Sequence, residues 1–458
     1  MYTLGMERVS LPGRLRAFGS ILAGAGYQGW LVGGAVRDLL GSREPGDYDI
    51  ATDARPEQVA RIFPRTYPTG IRHGTVTVQH SGIQAEVTTF RTEASYADGR
   101  HPDAVDYVAT IDADLSRRDF TINGMAASLA DGRLVDPWGG RADFAAKLVR
   151  AIGDPLARFG EDGLRPLRAC RFAAQLGFVL DAATKAAISP SLATVRLVAA
   201  ERIRDELTKL LMAEVPSLGL VLMEETGLLQ LLIPELQRCA GLKQRDLHCF
   251  DVLGHSLATC DASGPALHLR LTALLHDVGK ATTVGVGANG QPTFYRHERD
   301  SADQAYEILS RLRFPNAERD RVVHLVREHM FNYSSSWSDA AVRRFLARVG
   351  QASLPDLLAL RRSDQIDRCG KREDAASLLG LEQRVKRMTL AGVALGVADL
   401  AVDGAVLMEE LQLPPGPFIG TLLRELLDSV VADPTLNNRD QLLLIARDSD
   451  RKRRAPSR

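Results

Sequence analysis

Two aspartates, Asp47 and Asp49, close the stretch Leu31–Ile50, which reads LVGGAVRDLLGSREPGDYDI. On a strand, residues i and i+2 project from one face, so both carboxylates point the same way. Side by side they repel unless a hard cation lies between them, and Mg²⁺ carrying substrate phosphates is the usual occupant. Ahead of them, the apolar run Trp30–Val32 is broken by Gly33-Gly34. Paired glycines let backbone approach a ligand closely, and a helix that starts there turns its N–H groups toward an anion. Arg37 adds a cation for the remaining phosphate charge. Either half alone reads equally well as a turn or a solvated loop. Together they point to a metal-dependent site for a nucleoside triphosphate.

Three further groups carry chemistry. Glu86, on a β-rich run, offers a third carboxylate, with a plain surface strand glutamate as the alternative. In Arg117-Arg118-Asp119-Phe120-Thr121-Ile122-Asn123 the arginines suit triphosphate oxygens and Asn123 a sugar hydroxyl, while Asp119 also suits a helix cap. In EDGLRPLRACRFAAQLGF (Glu161–Phe178), Asp162 and Arg165 are three apart, hence neighbours on one helix face, and Arg168 and Arg171 follow at the same interval. The plain reading of that ladder is exposed ion pairs worth well under roughly 1 kcal/mol each. Far downstream stand His255, the adjacent His276-Asp277, His297, His329 and Asp364. Imidazoles mixed with carboxylates suit Mn, Ni, Fe, Co or Zn rather than Mg²⁺ alone.

As strings, these segments resemble the bacterial CCA-adding enzyme and poly(A) polymerase family of class II tRNA nucleotidyltransferases, within the polymerase-beta superfamily. The family opens with G-G-x-V-R-D and D-x-D, continues with R-R-D-F-T-I-N-x-M-A (here Arg117–Ala126), and carries E-D-x-x-R-x-x-R-x-x-R-F (here Glu161–Phe172). Asp136-Pro-Trp-Gly-Gly140 resembles the turn that closes its catalytic head. The resemblance implies that Asp47 and Asp49, with Glu86 less securely placed, hold Mg²⁺. It further implies that Gly33, Gly34, Arg37, Arg117, Arg118, Asp119 and Asn123 bind the nucleotide with Asp162, Arg165, Arg168 and Arg171. Asp162 and Arg165 would act as a protein template for the incoming base. Cytosine and adenine both place an amine donor beside a ring-nitrogen acceptor, which a carboxylate and a guanidinium complement. Uracil and guanine reverse that order, and each mispaired buried group costs about 1–3 kcal/mol. The string H…HD…H…H…D resembles the HD phosphohydrolase domain. By that resemblance His255, His276, Asp277 and Asp364 hold a first metal, and His297 and His329 are candidates for a second. Phosphodiesterase or phosphatase activity on cyclic nucleotides or 2′,3′-cyclic phosphate ends is implied.

The implied reaction is untemplated transfer of CMP, CMP and AMP from CTP and ATP to a tRNA 3′ end. An A-adding enzyme or a poly(A) polymerase is the alternative within the family. The basic G-R/K-R/K-F-x-L-x-H-V segment of the polymerases is replaced here by Pro68-Thr-Gly-Ile-Arg-His-Gly-Thr-Val-Thr-Val78, closer to the CCA-adding pattern. A chiefly HD-type metal-dependent phosphohydrolase and a catalytically silent RNA-binding protein are the readings of other classes.

To position these residues, the chain must build a helix over residues 13–29, a strand at Trp30–Val32 and a helix over Asp53–Phe63 with proline in its first turn. A hairpin follows over 74–80 and 83–90 around Ser81-Gly82. Arg91–Asp106 has no periodicity and reads as a long functional loop, with Tyr96, Asp98, Arg100 and Pro102 where the family has similar residues. One amphipathic helix is expected over Glu161–Phe178, then helices with Arg196, Arg202, Arg204 and Lys209 that suit tRNA phosphates or plain solvated faces. The expected fold is α+β, a polymerase-beta-like head with a small mixed β-sheet followed by an all-helical neck and body. The expected division is 1–155 head, 156–242 neck and start of the RNA-binding body, 243–370 HD domain and 371–458 helical body and tail.

Composition agrees with a soluble multidomain protein: 458 residues, 45% hydrophobic and 25% charged. Net charge is zero, so nucleic acid must be met by local basic patches such as Arg451-Lys452-Arg453-Arg454. Five scattered cysteines without a C-x-x-C pair point to reduced thiols in the cytoplasm. No apolar run reaches about 18 residues, so no membrane span is expected.

Overall fold

A computed structural model describes residues 8–70, 74–94, 104–244, 249–365, 375–390, 394 and 396–454. The chain forms two compact units, one reaching to Gln237 and including Arg311–Arg313, the other holding the rest of the chain.

The first unit starts with α1 (Gly13–Gly24), β1 (Gly29–Val32), α2 (Gly34–Leu40), β2 (Tyr48–Thr52), α3 (Pro56–Ile62), β3 (Thr66–Gly70), β4 (Thr75–His80) and β5 (Ile83–Thr89). A small hairpin, β6 (Arg91–Ala94) and β7 (Ala104–Tyr107), precedes α4 (Ile111–Ser116), β8 (Ala126–Ser128), β9 (Leu134–Val135) and α5 (Gly140–Ala145). Seven strands make one mixed sheet in the order β3-β4-β5-β2-β1-β8-β9. Only β2 and β5 run parallel; every other neighbour is antiparallel. Alternation along the strands sorts the side chains. Leu31, Tyr48, Ile50, Ala85 and Val87 pack with Leu15, Phe18 and Leu22 of α1 in one core. Val32 and Ala51 face the other way, with Trp30, Phe90 and Leu115. Asp49, between Tyr48 and Ile50, therefore shares the second face.

The unit continues through β10 (Leu148–Val149), α6 (Pro155–Glu161), α7 (Arg165–Leu176), β11 (Val179–Leu180), α8 (Ala182–Ala186), α9 (Leu192–Val195) and α10 (Ala200–Leu211). The expected single helix over Glu161–Phe178 is in fact two helices. Asp162 takes an extended conformation (φ −141°, ψ 110°) between them. Gly163 there lies so close to Thr194 that a Cβ would fall 2.3 Å from its carbonyl oxygen. Pro166 sits in the first turn of α7, where a missing N–H costs nothing. The expected loop over Arg91–Asp106 also changes, since its two ends pair as β6 and β7. Tyr96, Asp98, Arg100 and Pro102 lie outside the described residues.

The second unit is helical apart from a short hairpin, Val284–Val286 with Pro292–Phe294. Its last helices, Gly404–Leu411, Pro417–Ala432 and Arg439–Arg454, share a core around Leu407, Leu422, Leu426 and Leu442. Cys170, Cys239 and Cys260 are buried thiols outside any disulfide, but Cys249 is disulfide-bonded, against the expectation of reduced thiols throughout. Spacing along a chain carries no information about a pairing that folding creates. Cys369 lies outside the described residues. Among the described residues, no helix is long and apolar enough to cross a membrane.

Candidate active sites

In the first unit the turn from β1 into α2 depends on Gly33, which adopts φ +69°, ψ −139°, a region that side chains make costly. A Cβ there would stand 3.0 Å from Nη1 of Arg118 and 3.5 Å from Oδ2 of Asp49. The glycine thus touches both a proposed phosphate-binding arginine and a proposed metal-binding carboxylate. Asp49 is register partner to Val32 on one side and to Glu86 on the other. Paired residues of a parallel ladder share a face, so Glu86 joins Asp49 on the second face of the sheet. Crowding by the protein raises the Asp49 carboxyl above its ordinary value; Arg118 pulls it back and Asp47 pushes it further up. Glu86 is raised as well, by partial burial and then by Asp49 and Asp47. With Asp49 and Glu86 both raised by burial and by neighbouring carboxylates, this is a site short of positive charge.

The arginines around this face are tied to protein carboxylates and carbonyls. Arg37 donates through Nη1 to Oδ1 of Asn123 (2.9 Å) and through Nε and Nη2 to Asp38 (3.1 and 3.0 Å). Arg117 and Arg118 share the buried Asp114, at 2.9 and 3.3 Å. Burial alone would raise Asp114, but these two guanidiniums hold it below its ordinary value. Asp119 does not cap an α-helix. One of its oxygens accepts the Phe120 N–H and the Asn123 amide, and the other takes Arg168 at 2.7 Å. Against the upward push of burial, Arg168 and Asn123 bring Asp119 down to about 2.

Asp162 and Arg165 are not neighbours on one helix face, because Asp162 precedes the helix that Arg165 begins. Each has its own anchor. Asp162 accepts the Leu164 N–H through Oδ1 (3.0 Å) and Arg202 of α10 through Oδ2 (3.0 Å). Arg165 donates to the Arg117 carbonyl at 2.9 Å, to the Arg158 carbonyl at 2.8 Å and to Glu161. Glu206, one turn after Arg202 on α10, is buried between Arg168 and Arg171. Arg202, one of the residues expected along tRNA phosphates, is turned inward instead. Glu206, Arg202 and Glu161 escaped the sequence reading as site neighbours. The i, i+4 spacing of Arg202 and Glu206 was visible, but nothing local marks partners 35 to 40 residues away.

In the second unit all six expected residues converge. His255 lies on helix Val252–Ala262, His276 just past Leu267–Leu275, His297 at the start of His297–Arg311, His329 just past Asn316–Glu328, and Asp364 at the end of Leu354–Asp364. Asp277 is their hub. Its Oδ2 lies 3.5 Å from Nε2 of His255 and 3.3 Å from that of His276, while Oδ1 lies 3.1 Å from His297 and 3.8 Å from His329. Oδ1 of Asp364 approaches His255 at 3.0 Å and His276 at 3.4 Å. Gly279, two residues past Asp277, makes the close packing possible: a Cβ there would fall 2.5 Å from the Ser301 nitrogen.

Three of the imidazoles are oriented by one device. Nδ1 of His276, His297 and His329 each meets the carbonyl three residues back, at 2.8, 2.9 and 2.6 Å. A carbonyl only accepts, so Nδ1 carries a proton and Nε2 is the nitrogen turned toward the cluster. Burial alone would lower His276, but Asp277 and Asp364 raise it to about 10. Burial and the neighbouring His276 push His329 down to about 3. Lys280, unmarked in the sequence reading, donates to Oδ2 of Asp277 (2.6 Å) and to Gln244 (2.7 Å). Among the described residues, the two triads that bring donors within 4.8 Å are His255–His276–Asp277 and Asp277–His297–His329. Buried nitrogen and carboxylate donors at that spacing fit divalent metal. The carboxylates of the first unit are grouped more loosely.

The chain matches the model of the poly(A) polymerase head domain over residues 29–150, that of a probable RNA- and SrmB-binding site of polymerase A over 177–239, and that of the HD domain over 245–369. It is 32% identical to a CCA-adding enzyme of Levilactobacillus brevis over 442 residues, covering 93% of this chain and 94% of that one. With a CCA-adding enzyme of Geobacillus sp. identity rises to 51%, over 44% of this chain and half the length of that one. Among solved structures, the CCA-adding enzyme of Bacillus stearothermophilus in complex with CTP superposes with TM-score 0.70 at 28% identity, covering 96% of this chain and 98% of that one. The chain belongs to the bacterial CCA-adding enzyme and poly(A) polymerase family of tRNA nucleotidyltransferases, and its second unit carries an HD domain.

Proposed function

We propose that this nucleotidyltransferase transfers CMP, CMP and AMP from CTP and ATP to a tRNA 3′ end without a nucleic-acid template, in the cytoplasm. The observation that carries this reading is its end-to-end likeness to CCA-adding enzymes. Asp47, Asp49 and Glu86 are the groups that would hold Mg²⁺, and the raised carboxyls of Asp49 and Glu86 favour a cation there. When bound, the ion acidifies the terminal 3′-hydroxyl and offsets charge on the pyrophosphate leaving group. The Gly33-Gly34 turn, Arg37, Arg117, Arg118, Asp119 and Asn123 make up the triphosphate and sugar end of the site. Asp162 accepts from the base amine and Arg165 donates to the ring nitrogen. Their separate anchors fix both in place, so uracil and guanine meet like groups and are refused. Arg168 and Arg171 act through Asp119 and Glu206 as supports. The finer division 1–155, 156–242, 243–370 and 371–458 belongs to the same reading.

The test uses purified protein, Mg²⁺ and labelled CTP or ATP with tRNA transcripts ending before CCA, after C and after CC. Extension of all three to CCA is expected. Labelling of the CC transcript alone would make it an A-adding enzyme, a long A tail a polymerase, and no incorporation would refute nucleotidyl transfer.

The hub at Asp277 favours a second activity. His255, His276, Asp277 and Asp364 would hold one divalent transition metal (Mn, Ni, Fe, Co or Zn), with His297 and His329 completing a second site across Asp277. Such a pair hydrolyses phosphate esters, and 2′,3′-cyclic phosphate ends or cyclic nucleotides are the substrate class. Opening of a 2′,3′-cyclic phosphate end by water to the phosphomonoester in the D49N variant, and its loss in D277N, would separate this activity from transfer.

A further inference from the structure

A cavity in the first unit is lined by none of Asp47, Asp49 and Glu86, although Arg37 of the proposed triphosphate end borders it. It encloses about 340 Å³ beside the end of α2, between Arg43, Phe144, Lys147, Leu176 and Phe178. Leu176 closes α7, eleven residues and so about 16 Å from Arg165 at its start. The Phe144 and Phe178 rings stand 5.6 Å apart with their planes tilted by 59°. A planar ring can stack on one and meet the edge of the other. Arg43 and Lys147 are exposed at the rim. Among the described residues, neither shares an ion pair. The lining acid, Asp38, is committed to Arg37 at 3.0 Å. The cavity therefore combines two uncompensated cations with an aromatic wall, and its volume is that of a small-molecule site.

We propose that this cavity binds a ribonucleotide, its base against Phe144 and Phe178 and its phosphate on Arg43 and Lys147. A free nucleoside triphosphate and one nucleotide of bound RNA present the same chemistry. The inference does not rest on the transfer activity proposed above, and an inactive D49N protein is expected to bind equally well.

The test uses the full chain and its R43A/K147A and R43K/K147R variants. Calorimetric titration with ATP and CTP counts free-nucleotide sites, and filter retention gives tRNA affinity at fixed salt. If free nucleotide is the occupant, the unaltered chain shows a second site that R43A/K147A weakens about tenfold. If RNA is the occupant, tRNA binding weakens by a similar factor, and by more than in an R61A/R65A control that removes two other exposed cations. R43K/K147R restores either effect. On the unaltered chain, ATP or tRNA should also slow acylation of the Lys147 amine. A single nucleotide site, tRNA affinity no lower than the control's, and unprotected Lys147 would overturn the proposal.

Discussion

Replacing Glu206 with glutamine tests the charge network behind Asp162 and Arg165, the proposed base-reading pair. Glu206 is 3% exposed and accepts from Nε of Arg171, with Nη1 of Arg168 3.5 Å away. Glutamine keeps the volume and one acceptor, but it removes the charge and turns an NH₂ toward a guanidinium. Breaking a buried ion pair costs about 3–5 kcal/mol when one partner is left alone. Here Arg168 keeps Asp119 at 2.7 Å and Arg171 keeps Gln175 at 2.6 Å, so the expected loss is smaller, about 2–4 kcal/mol. The chain has two units, so a single global melting curve does not isolate this effect. Amide hydrogen exchange of peptides from α7 does, and it should accelerate by about 30- to 1,000-fold in the regime where exchange reads local opening. An E201Q control, at an exposed position of the same helix, should stay within about 0.5 kcal/mol of the parent. Should E206Q match that control, Glu206 is a bystander and the network does not hold α7 in place.

Three further outcomes follow from the same geometry. Asp119 is depressed in the folded chain to about 2, so its stabilisation is present above the unfolded value near 3.8 and lost as pH falls from about 4 to about 2. That is about 2 kcal/mol, and acid unfolding followed by circular dichroism should show the gap between the parent and D119N closing over this window. At Gly33 an alanine methyl would meet Arg118 and Asp49 in a left-handed conformation, costing about 1–3 kcal/mol, so G33A should lose nucleotide transfer at least about tenfold in kcat/KM. G34A, whose Cβ meets only the flexible end of Arg37, should remain as stable as the parent in the same denaturation assay. Of the divalent sites that titration of the EDTA-stripped chain reveals, two should belong to the second unit, one surviving in H329A and neither in D277N, because Asp277 faces both groups of histidines.

What could be read from the chain and what could not divide along a physical line. The β-rich runs on either side of Ser81-Gly82 placed β4 and β5, and their alternation is what one buried face imposes wherever a sheet lies on helices. The pairing of Asp49 with Glu86 follows from sheet order, which alternation does not encode. A surface glutamate on β5 would have left the same sequence trace. The six HD-domain residues stood out by type, and helix ends bring them together. Lys280 and Gln244 did not, because a lysine three residues after an aspartate reads as an ordinary helical pair until burial shows both groups enclosed with the histidines.

The break before Arg165 is the sharpest case. The apolar spacing of Leu164, Leu167 and Phe172 supports one helix running from Glu161 through Gly163, whereas the helix begins at Arg165. What ends α6 is Thr194 packed against the bare α-carbon of Gly163, a contact 31 residues away in the chain. That contact also bears on the base reading proposed above. With Asp162 off the helix, its carboxylate is free of the i, i+3 geometry that would have paired it with Arg165 and neutralised both. Arg202 and Glu161 take up the two charges separately, so the carboxylate and the guanidinium are oriented but not joined to each other. A base can then bridge them, which an intact helical ion pair would have prevented.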